Sequence, residues 1–170
     1  QILKIDAMFD SSNFRKDRRK DLKKAVESKL VFKQSQKADL LIELFKNNVG
    51  KRTPNITNKD YENLDQLCSF LMIKGSGETF EVYEDDSMIA GAFILKHKNK
   101  GTILFSSTDF TNRNNGSNTF LIARIIEYYK EKITEFDFGG SSIPTIASYF
   151  KSFGAETVSY PFLKINKLPF

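Results

Sequence analysis

Between Thr79 and Ser107 the apolar pattern changes its period, and this limits the fold more than any other feature of the chain. Upstream, apolar residues recur at helical spacing. Leu40, Leu41, Leu44 and Phe45 line a helix over 38–48, ended by Gly50. Tyr61, Leu64, Leu67, Cys68, Leu71 and Met72 line a second helix that starts at Asn58 and stops at Gly75-Ser-Gly77. From Thr79 to Glu84 the residues alternate, with Phe80 and Val82 on one side. Asp85-Asp86-Ser87 is a turn, Met88 to Lys96 a strongly apolar run, Lys98-Asn99-Lys100-Gly101 a second turn, and Thr102 to Ser107 a third strand. Connections this short join antiparallel neighbours, so the three strands form a meander.

The flanking segments complete an α/β (α+β) order. Ile2 to Phe9 is extended or linker-like, which makes 1–12 a linker or strand ahead of one domain over 13–170. Ser11 or Ser12 is the expected N-cap of a helix that runs to about Ser28. Val31 to Gln34 is a short strand, and 51–56, with Pro54, is a loop. After the meander come a polar loop, Thr108 to Gly116, and a helix from Ser117 to about Lys132. Leu121, Ile122, Ile125, Ile126, Tyr129 and Ile133 form the apolar side of that helix. A strand, Glu135 to Phe138, ends in Gly139-Gly140. The next helix covers 143–152, with Ser141 or Ser142 as cap and Pro144 in its first turn. Glu156 to Leu168 is one long strand or two strands broken at Pro161.

Composition narrows the class. A chain of 170 residues, 40% of them apolar, buries a core without staples. Cys68 is the sole cysteine, so no disulfide forms within the chain, and a reducing, cytoplasmic setting is expected. No apolar run approaches the roughly 20 residues of a membrane span. The sole histidine, His97, flanks a turn and is expected to be exposed. No cluster has metal-ligand spacing, so no metal is expected. The first residue is Gln, as in a fragment or processed product.

The net charge of +5 is unevenly spread. Arg15, Lys16, Arg18, Arg19, Lys20, Lys23, Lys24 and Lys29 crowd one early segment. It reads either as a solvated helix face or as a patch for a polyanion such as tRNA, a nucleotide or an anionic membrane. Phe14, Leu22, Ala25 and Val26 share one side of that helix, and Arg18 falls within their stripe. An inward arginine requires a partner, either a structural carboxylate or a bound anion.

Two short motifs carry a resemblance. Phe136-Asp-Phe-Gly-Gly140 and Tyr149-Phe-Lys-Ser-Phe-Gly154 are similar to stretches of the Fem-type peptidyltransferases and their FemAB-like relatives. The basic stretch from Asn13 to Ala25 resembles the helix that opens the second domain of that family. The order of elements resembles the GNAT acyltransferase fold. The resemblance implies a mixed, mainly antiparallel sheet flanked by helices, with Glu135–Phe138 beside Thr102–Ser107, parallel to it and splayed from it. It implies an N-acyltransferase that joins an acyl or aminoacyl group, carried by acyl-CoA or aminoacyl-tRNA, to an amine acceptor. A further GNAT-like domain ahead of this one is then expected. The other reading is a module without turnover that recognises a nucleotide, tRNA or partner domain.

The same resemblance assigns roles to residues. The loop before the long helix is Arg113-Asn-Asn-Gly116-Ser-Asn118. Arg113 and Gly116 fit a donor-phosphate cradle, and Asn118 departs from its last small residue; a plain Asn- and Gly-rich loop looks alike. Where many acetyl-CoA-dependent members carry a tyrosine that protonates the leaving thiolate, this chain has Phe150, among the donor-binding positions; Tyr149, one step along, turns about 100° away. Lys151 either contacts the substrate or donor phosphate or is an exposed lysine at a helix end. Asp137 either serves the attacking amine or caps the following turn. Asp109 and Glu156 are weaker carboxylate candidates.

Overall fold

A computed structural model describes residues 1–6, 8–111, 113–139 and 143–159. The Ser141 and Ser142 caps and most of the last strand lie outside these residues. One six-stranded sheet organises the chain, in the order β1-β6-β5-β4-β3-β2. The strands are β1 (Ile2–Lys4), β2 (Val31–Ser35), β3 (Gly77–Glu84), β4 (Ser87–His97), β5 (Lys100–Thr108) and β6 (Glu135–Asp137). The helices are α1 (Lys16–Glu27), α2 (Asp39–Asn47), α3 (Asn58–Ile73), α4 (Ser117–Tyr129) and α5 (Pro144–Lys151).

The expected meander is β3-β4-β5, antiparallel throughout. β6 pairs parallel with β5, as the resemblance implies. β4 explains why its sequence is a continuous apolar run. Ile89, Ala90, Ala92, Phe93 and Ile94 are all buried, because helices cover both faces of the sheet. α1 and α4 pack on one face with Phe80, Val82, Phe136 and Phe153. α2 and α3 cover the other, with Leu41, Ile42, Cys68 and Phe93. This double cover also buries Thr79 and Glu81, which the alternation of β3 would have placed in water.

The structure chooses between the two readings of the first segment and shifts two other local expectations. The first segment is a strand: β1 pairs antiparallel with β6, Leu3 opposite Phe136, and an ion pair joins Lys4 to Glu135. Ile2 also bridges Glu156, which makes the start of the last strand an edge contact. The first helix starts at Lys16, later than expected. Asp10, rather than Ser11 or Ser12, is the capping residue, and it caps a separate 3-10 turn over Ser11–Asn13 by accepting from Ser12 N at 2.7 Å. Two side chains also leave their stripes. Val26 is 70% exposed on α1, and Leu67 is 45% exposed on α3.

β1, α1 and β2 together make a crossover. The pairings give β1 and β2 the same direction at opposite edges of the sheet. α1 therefore travels across the whole face between them, and it passes the start of α4 on the way.

Cys68 is fully buried in α3 against the second core, and burial, reinforced by Asp65, pushes its thiol up to about 12. The thiolate is the reactive form, so alkylation by iodoacetamide at pH 8 is expected to run at least about 10²-fold slower in the folded protein than in urea. Equal rates in the two conditions would show that the α3 face is open.

Candidate active site

The strands flanking α4 part early. β6 pairs with β5 only at Lys100–Thr102, whereas β5 runs on to Thr108 against β4. The β5 edge past the paired residues thus faces a wedge. Asp137 sits at the closed end of that wedge. One oxygen accepts from Gly139 N at 3.0 Å, and the other pairs with Lys100 Nζ at 2.6 Å. Its neighbour in register is Thr102, so it lies about 20 Å along β5 from Thr108, at roughly 3.4 Å per residue.

The open end leads to a cleft of about 370 Å³ at the N-terminus of α4. α1 supplies Arg18, Asp21 and Lys24, the loop and α4 supply Gly116, Ser117, Asn118 and Thr119, and α5 supplies Tyr149. Gly116 is the N-cap, with φ +78°, and the Asp21 carbonyl oxygen stands where a Cβ would be. The glycine is thus required by the close passage of α1. Asn115 Oδ1 accepts from Ser117 N at 3.1 Å, so the first amide of the helix is already satisfied. The orphan amides of a helix start attract negative charge.

Arg18 points inward, with its side chain 16% exposed. Its partners are carboxylates of its own helix, Asp21 at 3.0 Å and Asp17 at 3.2 Å. It also donates to Thr119 Oγ1 at 3.0 Å and stacks over the Tyr149 ring, 4.7 Å from the centroid. Thr119 Oγ1 lies 3.1 Å from Asp21 Oδ2 and 3.4 Å from the Tyr149 hydroxyl. Burial raises the Tyr149 phenol to about 12, against the lowering influence of Thr119 and Arg18. Arg18 Nε and Ser117 Oγ are buried among the cleft residues and find no hydrogen-bond partner among the described residues.

The structure thus gathers Arg18, Gly116 and Asn118 but separates the other expected site residues. Phe150 is partly buried and stacks on Phe138, packed against the core, at 4.7 Å between ring centroids. The turn of about 100° between helix neighbours therefore brings Tyr149, not Phe150, to the cleft. Lys151 is exposed in the last turn of α5, where the helix dipole favours a cation. Arg113 opens the 3-10 turn Arg113–Asn115, and its side chain lies outside the described part of the structure. Asp109 accepts from Thr111 N at 2.9 Å and shapes its own turn, Glu156 is exposed, and so is His97. Among the described residues no three His, Cys, Asp or Glu side chains converge as metal ligands, and no helix is long and apolar enough to cross a membrane. Sequence reasoning misses Asp21 and Thr119. The Arg18–Asp21 spacing of three along a helix is the available signal.

Gly116→Ala should destabilise the protein by about 2 kcal/mol or more, because it adds a clash with α1 to the left-handed backbone cost of roughly 1–2 kcal/mol. Gly75→Ala, with φ +67° and open space around it, should carry the backbone cost alone. Urea unfolding of both variants measures the difference, and equal losses would remove the α1 contact as the reason for Gly116.

Comparisons with known proteins bear on this arrangement. The acetyltransferase (GNAT) domain family model matches residues 12–152, from before α1 to the end of α5. No curated protein matches the sequence. Among solved structures, FemX superposes with a TM-score of 0.73 at 14% identity, over 90% of this chain and 57% of its own. This chain thus spans little more than half the length of FemX. A predicted acetyltransferase from Clostridium acetobutylicum, solved with acetyl-CoA, gives 0.60 at 20% identity, over 81% and 96% of the two chains. AAC(6')-Iy, solved with the bisubstrate analogue CoA-S-monomethyl-acetylneamine, gives 0.61 at 15%, over 82% and 98%. At these identities the structures share the fold, while the family model covers most of the sequence: the chain belongs to the acetyltransferase (GNAT) domain family.

Proposed function

We propose that this domain is an N-acyltransferase that moves an acyl group from a thioester of the acyl-CoA class to an amine. The observation that carries this reading is the Tyr149 hydroxyl in the cleft at the start of α4. It supplies the acid that Phe150 cannot. The β5 edge past Thr102 offers backbone groups to an extended donor arm, as a strand edge does to an added peptide. The start of α4, with Lys24 at the cleft rim, suits the donor's phosphates.

The neutral amine attacks the thioester carbonyl, and proximity of the two supplies much of the acceleration. Tyr149 then donates its proton to the departing sulfur. A phenol held near 12 is protonated throughout the neutral range, so the acid form is fully available there. Asp137 fixes the wedge through Lys100 and Gly139, and Lys151 stays outside the chemistry.

A second reading comes from the FemX superposition and the basic exposed face of α1. In it the chain is the second domain of a Fem-type tandem and the donor is an aminoacyl ester. In that reading, positive charge near the developing alkoxide takes the place of the tyrosine proton.

Amide formation and thiol release from acetyl-CoA, measured across a panel of amines, test the first reading. Tyr149→Phe should lower kcat by about 10²-fold or more, and Lys151→Ala should leave it within about threefold. Transfer from aminoacyl-tRNA, with none from acyl-CoA, would select the second reading. Absence of transfer from either donor would leave a binding module.

A further inference from the structure

The geometry points to Arg18, Asp21 and Thr119 as positioning residues for Tyr149: α1 reaches across the sheet to hold the phenol and to balance its charge once its proton has gone. This rests on the reading of Tyr149 as the acid. The hydrogen-bond valences define the resting state. A guanidinium only donates, so Thr119 Oγ1 accepts from Arg18 at 3.0 Å. A carboxylate only accepts, so the one hydroxyl proton of Thr119 goes to Asp21 Oδ2 at 3.1 Å. Toward Tyr149, at 3.4 Å, Thr119 offers a lone pair, and the phenol is the donor. The phenol proton is thus held on a long, weak bond, from which it can turn toward the leaving group.

When the tetrahedral adduct collapses, the C–S bond breaks and its electron pair stays on sulfur. The Tyr149 proton moves to that sulfur, giving a free thiol and a phenolate. The Thr119 proton then swings from Asp21 to the phenolate oxygen, and the Arg18 guanidinium, 4.7 Å from the ring centroid, faces the new charge. Solvent takes the proton that the attacking nitrogen sheds as the amide forms, and returns one to Tyr149 after the thiol departs. Among the described residues, the charged groups around the phenol are those of α1: Arg18, Asp21, Asp17 beside Arg18, and Lys24 at the rim. α4 presents the neutral Thr119. Arg18 favours the phenolate and Asp21 opposes it.

The test tracks the Tyr149 ring by NMR of ¹³Cζ-tyrosine protein through an alkaline titration, with Tyr149→Phe identifying its signal. The kcat with acetyl-CoA is measured in parallel. Arg18→Met should move the midpoint upward and lower kcat by about tenfold or more with little change in KM. Arg18→Lys should restore much of the midpoint, and Asp21→Asn should move it downward. Opposite shifts from two neighbours on one helix are not expected of a purely structural pair. An unchanged midpoint in all three variants, with Tyr149→Phe still slow, overturns the network and leaves the acid reading. Full activity of Tyr149→Phe overturns both.

Discussion

The passage of α1 against the start of α4 determines the shape of the cleft. The contact is backbone to backbone, with the Asp21 carbonyl over Gly116, so no side chain larger than hydrogen fits between the helices. Once that distance is fixed, Arg18 reaches Thr119 and Tyr149, and Asp21 closes the circuit. The arginine is held by carboxylates on its own helix, so its charge is balanced before any ligand arrives. A half-buried cation without such partners would be costly. The cleft is therefore built by a helix packed across the sheet, in addition to the loop that precedes α4.

The fold is largely legible in the sequence, and the reasons are local. The meander is visible because two polar turns interrupt three apolar runs, and a turn sets the register of the strand after it. α4 is visible because its apolar stripe is long and regular. β1 is visible only as one of two alternatives, linker or strand, because three residues carry too little pattern and their partner strand lies far along the chain. The burial of Thr79 and Glu81 is not visible, because alternation reports which residues are apolar, and a second helical layer covers polar ones as well.

The site is legible in part. The inward direction of Arg18 is implied by its place in an apolar stripe, and its partner is a carboxylate, one of the two kinds expected. Sequence reasoning passes over Tyr149 because an offset counted back from Gly154 points to Phe150. The structure places Phe150 in an aromatic cluster with Phe138 and Phe153, a packing demand that the offset does not contain. Asp21 and Thr119 are nearly a hundred positions apart, and only the tertiary fold makes them a pair.

The crossover of α1 has a consequence for how the molecule is assembled. Lys4 and Glu135, which join β1 to β6, are 131 residues apart in the chain. A ribosome emits β1 before its partner strand, so β1 waits with its edge unpaired while the residues between them are made. Contacts of such long sequence separation are slow to close. The meander and the α2–α3 layer, local in sequence, have no such delay. The enclosure around Tyr149 draws on α1, α4 and α5, which lie far apart in the sequence, so the nascent protein carries an incomplete cleft until α5 has emerged.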